Sequence, residues 1–257
     1  MTVSIELIKK LRDMTGVSMT ACKSALEESN GDLDQAIDVL RKKGEAKAAD
    51  RAVRETSQGA ITVKIDGEKA AITKLECETD FVSMGDDFAE VGEKVASMLL
   101  NGEISEADRD LQIITEAGLK MGENIKIGEM KMLNGGTLGS YVHSNKKIGV
   151  VVQLEGGNQE LAKDIAMHIA ATSPVVISPE EISNELVEKE KEIWKEQLAQ
   201  EGKTGDIVEK IMLGKEKKFR EENALLKQQF VKNPDQTVED LVNSASAKVL
   251  SFTRYSI

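Results

Sequence analysis

One pattern occurs twice in this chain, and it constrains the fold more than any other feature. In each copy, short runs in which apolar and polar residues alternate are followed by helical periodicity and then by another strand-like run. Alternation with a period of two predicts half-buried strands, and Asp66-Gly67 predicts a hairpin turn. The first copy comprises predicted strands at 61–65 and 71–75, helices over about 87–100 and 106–119, and a strand at about 125–133.

The second copy repeats this order. It comprises a strand from Gly139, a turn at 144–146, a strand over 148–154, a helix over about 159–171 and a last strand over 249–257. When Gly59 is aligned with Gly139, the hairpins superpose almost without a gap. We therefore predict an internal duplication of a hairpin, a helix and a closing strand. Because the helices must cover one face of each sheet, the predicted class is α+β.

An insertion distinguishes the second copy from the first. Ser178-Pro179-Glu180-Glu181 has a capping Ser, then Pro at the first helical position, and Glu three residues after the cap, which predicts a helix start. The charged helix would run to about Glu201, turn at 202–206, and continue as a second helix. Two charged helices with narrow apolar seams and a short connection are typical of an antiparallel coiled-coil hairpin, here at about 179–228.

The N-terminal stretch predicts a separate helical module. Breaks at Thr15-Gly16 and Asn30-Gly31 separate three short helices; Asp32 and Gln35 form a capping-box pattern that opens the third, and Gly44 is expected to end it. A bundle of this size suits docking rather than catalysis. Residues 45–57, with Lys47, Arg51 and Arg54 among alanines, are interpreted as a linker, which leaves open whether these cations contact a partner. The predicted division is 1–55, 56–137 and 138–257.

Charge and cysteine usage exclude several classes of function. The 45 acidic residues outnumber the 34 basic ones, which gives a net charge of −11 and disfavours nucleic acid as the main partner. The sequence has neither a signal-peptide pattern nor a long apolar run, so we expect a cytoplasmic protein without membrane contact. Cys22 and Cys77 have no metal-like spacing and are expected to be reduced, buried and small-hydrophobe-like.

A search for catalytic motifs finds none, so we expect no enzyme, metal site or cofactor. Gly202-Lys203-Thr204 ends like a phosphate loop, but Gln197 stands where that loop needs Gly, and a turn explains the segment. The only histidines, His143 and His168, lie in different elements without a cluster of ligands. His168 is interpreted as a structural histidine packed in its helix.

Residues 76–82 form a loop for which the second copy has no equivalent, because its corresponding junction is only Gly156-Gly157-Asn158. The loop places Phe81 beside Asp80. Loops on a rigid scaffold often carry function. On the pattern alone, two interpretations stay open: Phe81 fills the local core, or it serves a binding site.

The motif Thr79-Asp80-Phe81-Val82 resembles that of the elongation factor Ts family. Further matching segments occur in the family's order and cover essentially the whole chain. They are 11–17, 22–26, 30–32, 122–125, 139–143, 148–150 and 165–171. The resemblance implies a module similar to ubiquitin-associated (UBA) domains, a core of two related halves and a coiled-coil hairpin.

The resemblance also implies a function, the release of GDP from elongation factor Tu by binding. Thr79, Asp80, Phe81 and Val82 would lie near the nucleotide's magnesium ion, with Phe81 as a wedge and Asp80 disturbing the ion. The module and first half would bind the GTPase domain, and the second half would bind a distal domain.

Other implied partner contacts are Arg12, Met19 and Thr20 in the module and His143 in the second half; many members have Met at the position of Thr20. Many members also continue beyond the point corresponding to Ile257 into a further helical module, so we expect lower affinity without it. The alternative hypothesis is a scaffold or chaperone that uses the module and the coiled coil to hold partners.

Overall fold

The computed structural model describes residues 3–257, except for the side chains of residues 45–50 and 206. The fold is α+β, as predicted. The N-terminal module consists of α1 (Ile5–Thr15), α2 (Met19–Glu28) and α3 (Leu33–Arg51). Ser4 and Ser18 cap the first two helices, since their hydroxyls accept the backbone N–H groups three residues on. The Asp32 carboxylate likewise accepts the N–H of Gln35 at 2.9 Å.

The first half of the core contains one antiparallel sheet in the order β1-β2-β3. Its elements are β1 (Gln58–Asp66), β2 (Lys69–Cys77), α4 (Asp80–Ser83), α5 (Asp86–Leu100), α6 (Gln112–Met121) and β3 (Lys126–Asn134). The prediction of a helix over 106–119 is wrong at its start. The carboxylate of Glu106 accepts the N–H of Met132 at 2.8 Å, and Asp108 accepts the N–H of Ser105 at 2.7 Å. These bonds hold the segment in a turn beside β3, and the helix begins only at Gln112.

The second half repeats this topology in a sheet ordered β4-β5-β8. Its elements are β4 (Thr137–Val142), β5 (Ile148–Glu155), α7 (Gln159–Thr172), α8 (Asn184–Gln200), α9 (Asp206–Glu222), β6 (Gln229–Phe230), β7 (Asn233–Thr237), α10 (Val238–Ser244) and β8 (Lys248–Ser256). The short β6 and β7 pair with each other. The segment between β5 and β8 therefore holds more than the predicted helical hairpin.

A shared irregularity relates the two sheets. The pairing register shifts just before Leu75 in the first sheet and just before Leu154 in the second, in both cases where the middle strand meets the closing strand. We take these two leucines as equivalent. Gly59 then pairs with Glu76, the residue after Leu75, whereas Gly139 pairs with Val152, two residues before Leu154. Gly59 and Gly139 are thus not equivalent, and the predicted alignment that pairs them almost without a gap is wrong.

The two sheets pack face to face through one apolar cluster. Ile61, Ile72 and Leu133 of the first sheet meet Leu138 and Val151 of the second. The opposite faces are covered by helices, α5 and α6 on the first sheet and α7 on the second. The layers are therefore helix, sheet, sheet, helix, and each half depends on the other to bury its inner face.

Glycine permits close approach of helix to sheet in both halves, but from opposite sides of the contact. In the first half it is helical: a Cβ on Gly92 would lie 2.6 Å from the hydroxyl of Thr62. In the second half it is in the strand: a Cβ on Gly139 would lie 2.5 Å from the Cβ and carbonyl carbon of Ala162. Each contact has room for one side chain only.

The inserted helices pack as an antiparallel hairpin over residues 184–222. The rings of Trp194 and Phe219 meet edge to face with centroids 5.7 Å apart, and Lys191 pairs with Glu216 at 2.9 Å. The expected helix start at Ser178 is wrong. Residues 179–181 form a single 3₁₀ turn, without a hydrogen bond from the Ser178 side chain, and Ser183 caps α8 instead. A second 3₁₀ turn at 225–227 follows α9; supercoiling of the pair stays a prediction.

The module packs on α6 of the first half through its third helix. Gly44 does not end α3, which continues to Arg51. Its missing side chain instead admits Leu119, since a Cβ there would lie 2.9 Å from the Leu119 Cδ2. At the end of α3, the Arg51 guanidinium donates to the carbonyl of Gly118 at 2.8 Å. The first part of the predicted linker is thus helical; the Lys47 side chain lies outside the described residues.

The predictions that His168 is structural and that both cysteines are buried are confirmed. His168 is fully buried: its Nε2 lies 2.9 Å from Gln228 Oε1, and its Nδ1 accepts the N–H of Val231. Both Cys22 and Cys77 are buried free thiols. Within residues 3–257, no helix is long and apolar enough to cross a bilayer.

Candidate functional site

The segment 79–82 forms the start of a very short helix between β2 and α5. Thr79 is its N-cap, with extended backbone and a hydroxyl that accepts the N–H of Val82 at 3.4 Å. At the other end, the Gly85 N–H donates to the Val82 carbonyl and the Ser83 hydroxyl donates to the Asp80 carbonyl, each at 3.0 Å. The sequence folds this way locally because Thr followed by Asp supplies a cap and a favourable first-turn charge.

Two large apolar side chains are exposed at α4 and its C-cap. Phe81 is 87% exposed and Met84 is 76% exposed, and residues three apart on a helix share a face. Val82 packs against the core of the first half, Ser83 is buried, and Asp80 is exposed. The interpretation in which Phe81 fills the local core is therefore wrong, because Val82 takes the inward position.

A carboxylate from the neighbouring chain segment holds the start of this segment. Glu123, just before β3, accepts the N–H groups of Glu78 and Thr79 on Oε2 at 3.0 and 3.1 Å. Its Oε1 accepts the Thr79 hydroxyl at 2.6 Å. One side chain thus satisfies three donors of the loop, and hydrogen bonds to an ionised acceptor are the stronger kind.

The opposite contact is made by Glu78. Its Oε1 accepts the N–H of Asn124 at 2.6 Å and lies 3.3 Å from the guanidinium of Arg54. The Asn124 amide donates in turn to the Arg54 carbonyl at 2.9 Å. The loop is therefore joined both to the start of β3 and to the segment that leaves the N-terminal module.

Cys77 is buried beneath the same loop, and its thiol is expected to be unreactive. Its thiol donates to the Thr79 carbonyl at 3.2 Å. Burial, and then the nearby Glu123 carboxylate, raise the pKa of Cys77 to about 12. Because the thiolate is the reactive form, this cysteine serves packing rather than chemistry.

The remaining predicted contacts lie in the N-terminal module and in the second half of the core. Arg12 and Thr20 are exposed, and Met19 is half-buried against the module's own core. The turn between α1 and α2 contacts the aliphatic chain of Lys120, whose ammonium binds Asp87 at 2.6 Å. This places the module's turn beside the start of α5, soon after α4.

His143 lies in the second half, directly after the last residue of β4. It is exposed, with Nδ1 3.1 Å from the Tyr141 hydroxyl. The turn that follows it reaches the first sheet, since the Lys146 carbonyl accepts the N–H of Ile61 at 2.7 Å. The structure therefore gathers the module's turn and α4 near α5, and the turn that contains His143 also borders α5, because Val142 and Lys146 line a cavity together with Phe88 and Ala89.

Sequence reasoning did not assign Glu78, Glu123, Asn124 or Arg54 to the site. Glu123 and Asn124 stand in a segment that matches the family, but the contact with residue 78 spans 45 positions, and no local pattern encodes it. Within the described part of the chain, no group of three or more His, Cys, Asp or Glu residues is arranged to hold a metal ion.

Comparison with known proteins identifies the family. The family model "Elongation factor TS" matches residues 78–257, and a UBA-like domain model matches residues 6–39. "Elongation factor Ts" of Thioalkalivibrio sulfidiphilus (strain HL-EbGR7) is 42% identical, over 100% of this chain and 92% of that protein. The protein of the same name from Hahella chejuensis (strain KCTC 2396) is 41% identical, over 99% and 92%. That from Hydrogenobaculum sp. (strain Y04AAS1) is 40% identical, over 100% and 99%.

These matches span both the module and the core. The segment with the exposed aromatic lies at the start of the longer match. The predicted UBA-like module and the resemblance of the whole chain are confirmed. The chain therefore belongs to the elongation factor Ts family of translation factors.

Proposed function

We propose that this protein binds elongation factor Tu·GDP in the cytoplasm and promotes GDP release by disturbing the magnesium and nucleotide site. The observation that carries the proposal is the 87% exposure of the Phe81 side chain on a short helix. Hydrogen bonds of Glu123 and Glu78 fix the chain segment just before that helix. Burial of such a side chain in a partner contributes about 1.5–3 kcal/mol. That free energy shifts an equilibrium roughly tenfold to a hundredfold.

The four residues of the segment have distinct proposed roles. Phe81 enters the GTPase as a wedge, and the exposed carboxylate of Asp80 disturbs the magnesium ion. Thr79 caps the helix and Val82 anchors it to the core, which supports rigid presentation of the other two. A rigid element loses little conformational entropy when it binds.

Two further attachments would hold the partner while the segment acts. Arg12, Met19 and Thr20 are proposed to contact the GTPase domain, and His143 a distal domain. The exposure of Arg12, Thr20 and His143 supports their role as contacts with a partner. Residues 1–55 and 56–137 would then serve the GTPase domain, and residues 138–257 the distal one.

The mechanism requires binding and no covalent chemistry, so we do not propose an enzyme in the usual sense. If the protein weakens GDP binding by some factor, GDP weakens the binding of this protein by the same factor. The nucleotide-free complex is then the tightest one, and GTP reloading releases the protein. No cofactor is needed for this cycle.

Release of a fluorescent GDP analogue from elongation factor Tu tests the proposal. We expect strong acceleration by the unchanged protein and a loss of about tenfold or more in Phe81→Ala, from the burial estimate above. Leu213→Ala is the matched control, because Leu213 is an apolar side chain 69% exposed on the distant helical hairpin. This variant should accelerate release normally.

The other outcomes separate the hypotheses. Full acceleration by Phe81→Ala would preserve the function and refute the wedge. Stable binding to elongation factor Tu without any change in GDP release would favour the scaffold or chaperone hypothesis. Loss in Leu213→Ala equal to that in Phe81→Ala would show that truncation of any exposed apolar residue has this effect.

A further inference from the structure

Two glutamates hold the chain segments of residues 78–79 and 123–124 together reciprocally. The carboxylate of Glu123 accepts the N–H of Glu78, and the carboxylate of Glu78 accepts the N–H of Asn124. We call this pair of contacts the carboxylate clasp. It joins the end of β2 to the start of β3, where these strands separate from their pairing.

The clasp supplies stability that α4 lacks by itself. A helix of four residues has almost no stability alone, because nucleation costs more than one turn of hydrogen bonds returns. Its cap also requires a correctly oriented Thr79. The Thr79 hydroxyl gives its proton to Glu123 at 2.6 Å, which leaves its oxygen free to accept the N–H of Val82.

Glu123 is the member of the clasp that controls the orientation of α4. It makes all three of its bonds to residues 78 and 79, directly before the helix, whereas Glu78 bonds outward to Asn124 and Arg54. Without Glu123, two adjacent N–H groups and the capping hydroxyl would lose their common acceptor. The backbone that aims Phe81 would then be free to adopt other conformations.

We infer that Glu123 is the positioning residue of the exchange segment, acting on elongation factor Tu through Phe81. This inference rests on the proposed function of residues 79–82. Glu123 orders the loop before the partner arrives, so that the entropy of ordering residues 78 and 79 is not lost during release. Since Phe81 is two residues beyond the last bonded residue, small rotations at Thr79 displace its ring.

The test is the rate of fluorescent GDP release as a function of the concentration of this protein. Glu123→Ala should lower the maximum rate about tenfold, because the backbone of residues 78 and 79 must then be ordered during release. The half-saturating concentration should stay within about twofold, because docking through the module and the second half is intact. Glu123→Gln should retain most of the rate, since its amide oxygen still accepts both backbone N–H groups.

A double-mutant cycle distinguishes positioning from a general structural effect. If Glu123 acts through Phe81, then adding Glu123→Ala to Phe81→Ala should lower the maximum rate no further. Glu106→Ala is the matched control, because Glu106 also accepts a distant backbone N–H in the same half, from Met132. It should leave the maximum rate unchanged.

Hydrogen exchange of the free protein gives a readout that needs no partner. The amides of residues 78 and 79 should exchange faster in Glu123→Ala, while those of β1 keep their protection. An unimpaired rate in Glu123→Ala, or an equal further loss in the Phe81→Ala background, overturns the positioning role. Failure of the unchanged protein to accelerate release overturns the proposed function itself, and the positioning role with it.

Discussion

Replacement of Gly139 by Ala should destabilise the protein, although the same change at Gly214 should stabilise it. The φ angle of Gly139 is not in the left-handed region, so backbone strain does not enter. The difference is space. A Cβ on Gly139 would lie 2.5 Å from backbone atoms of Ala162 and Lys163, whereas a Cβ on Gly214 in α9 would have no neighbour within 4 Å.

The magnitude follows from these distances. Carbon atoms pack at about 3.5–4.0 Å, so α7 must retreat from β4 by about 1 Å. Overpacking of this kind costs about 1–3 kcal/mol, and the lower entropy of the unfolded alanine chain offsets about 0.4–1 kcal/mol of it. We expect a net loss of about 1–2 kcal/mol, which lowers Tm by roughly 2–8 °C in a chain of this size. Gly214→Ala should instead gain about 0.5–1 kcal/mol.

Urea denaturation followed by circular dichroism would measure both changes. Ala162→Gly added to Gly139→Ala should recover little of the loss, because two of the three close atoms are backbone atoms that remain, and because glycine within α7 itself costs about 0.5–1 kcal/mol. This double variant imitates the first half, where the glycine lies on the helix. Gly139→Ala with stability equal to that of the unchanged protein would refute the close approach of α7 to β4.

Two further predictions concern buried titratable groups. Burial holds the pKa of His168 below its ordinary value of 6.5, so the unfolded chain binds the proton more readily; the stabilisation is complete above that value and is lost as pH falls below it. The urea concentration at the unfolding midpoint should therefore decrease when the pH is lowered from 7.5 to 5.5. A decrease of the same size in His168→Gln would contradict this cause. The Cys77 thiol, with its pKa raised to about 12, should resist iodoacetamide at pH 8 in the folded protein and react in urea, as mass spectrometry of the labelled peptide would show; full labelling of the folded protein would contradict its burial.

Local patterns in the sequence were sufficient to predict most helices and strands. Alternation of apolar and polar residues specified the hairpins, helical spacing specified α5 and α7, and the repeated order specified two related halves. These are properties of periods two and 3.6, which a strand or a helix expresses wherever it lies. The N-terminal module and the structural role of His168 were likewise predictable, because short capped helices and a histidine among apolar residues leave local patterns.

Long-range contacts settle which of the competing local patterns forms and how the site is held. Ser178 and Ser183 both offer a cap, but only a single 3₁₀ turn follows Ser178, where the Arg220 guanidinium of α9 donates to the carbonyls of Pro179 and Ile182. Residues 106–111 have helical spacing, yet bonds to β3 keep them in a turn. The exposure of Phe81 and its support by Glu123 depend on a contact between residues 45 positions apart. No single-sequence pattern encodes such a contact, because it forms only when both sheet strands are in place.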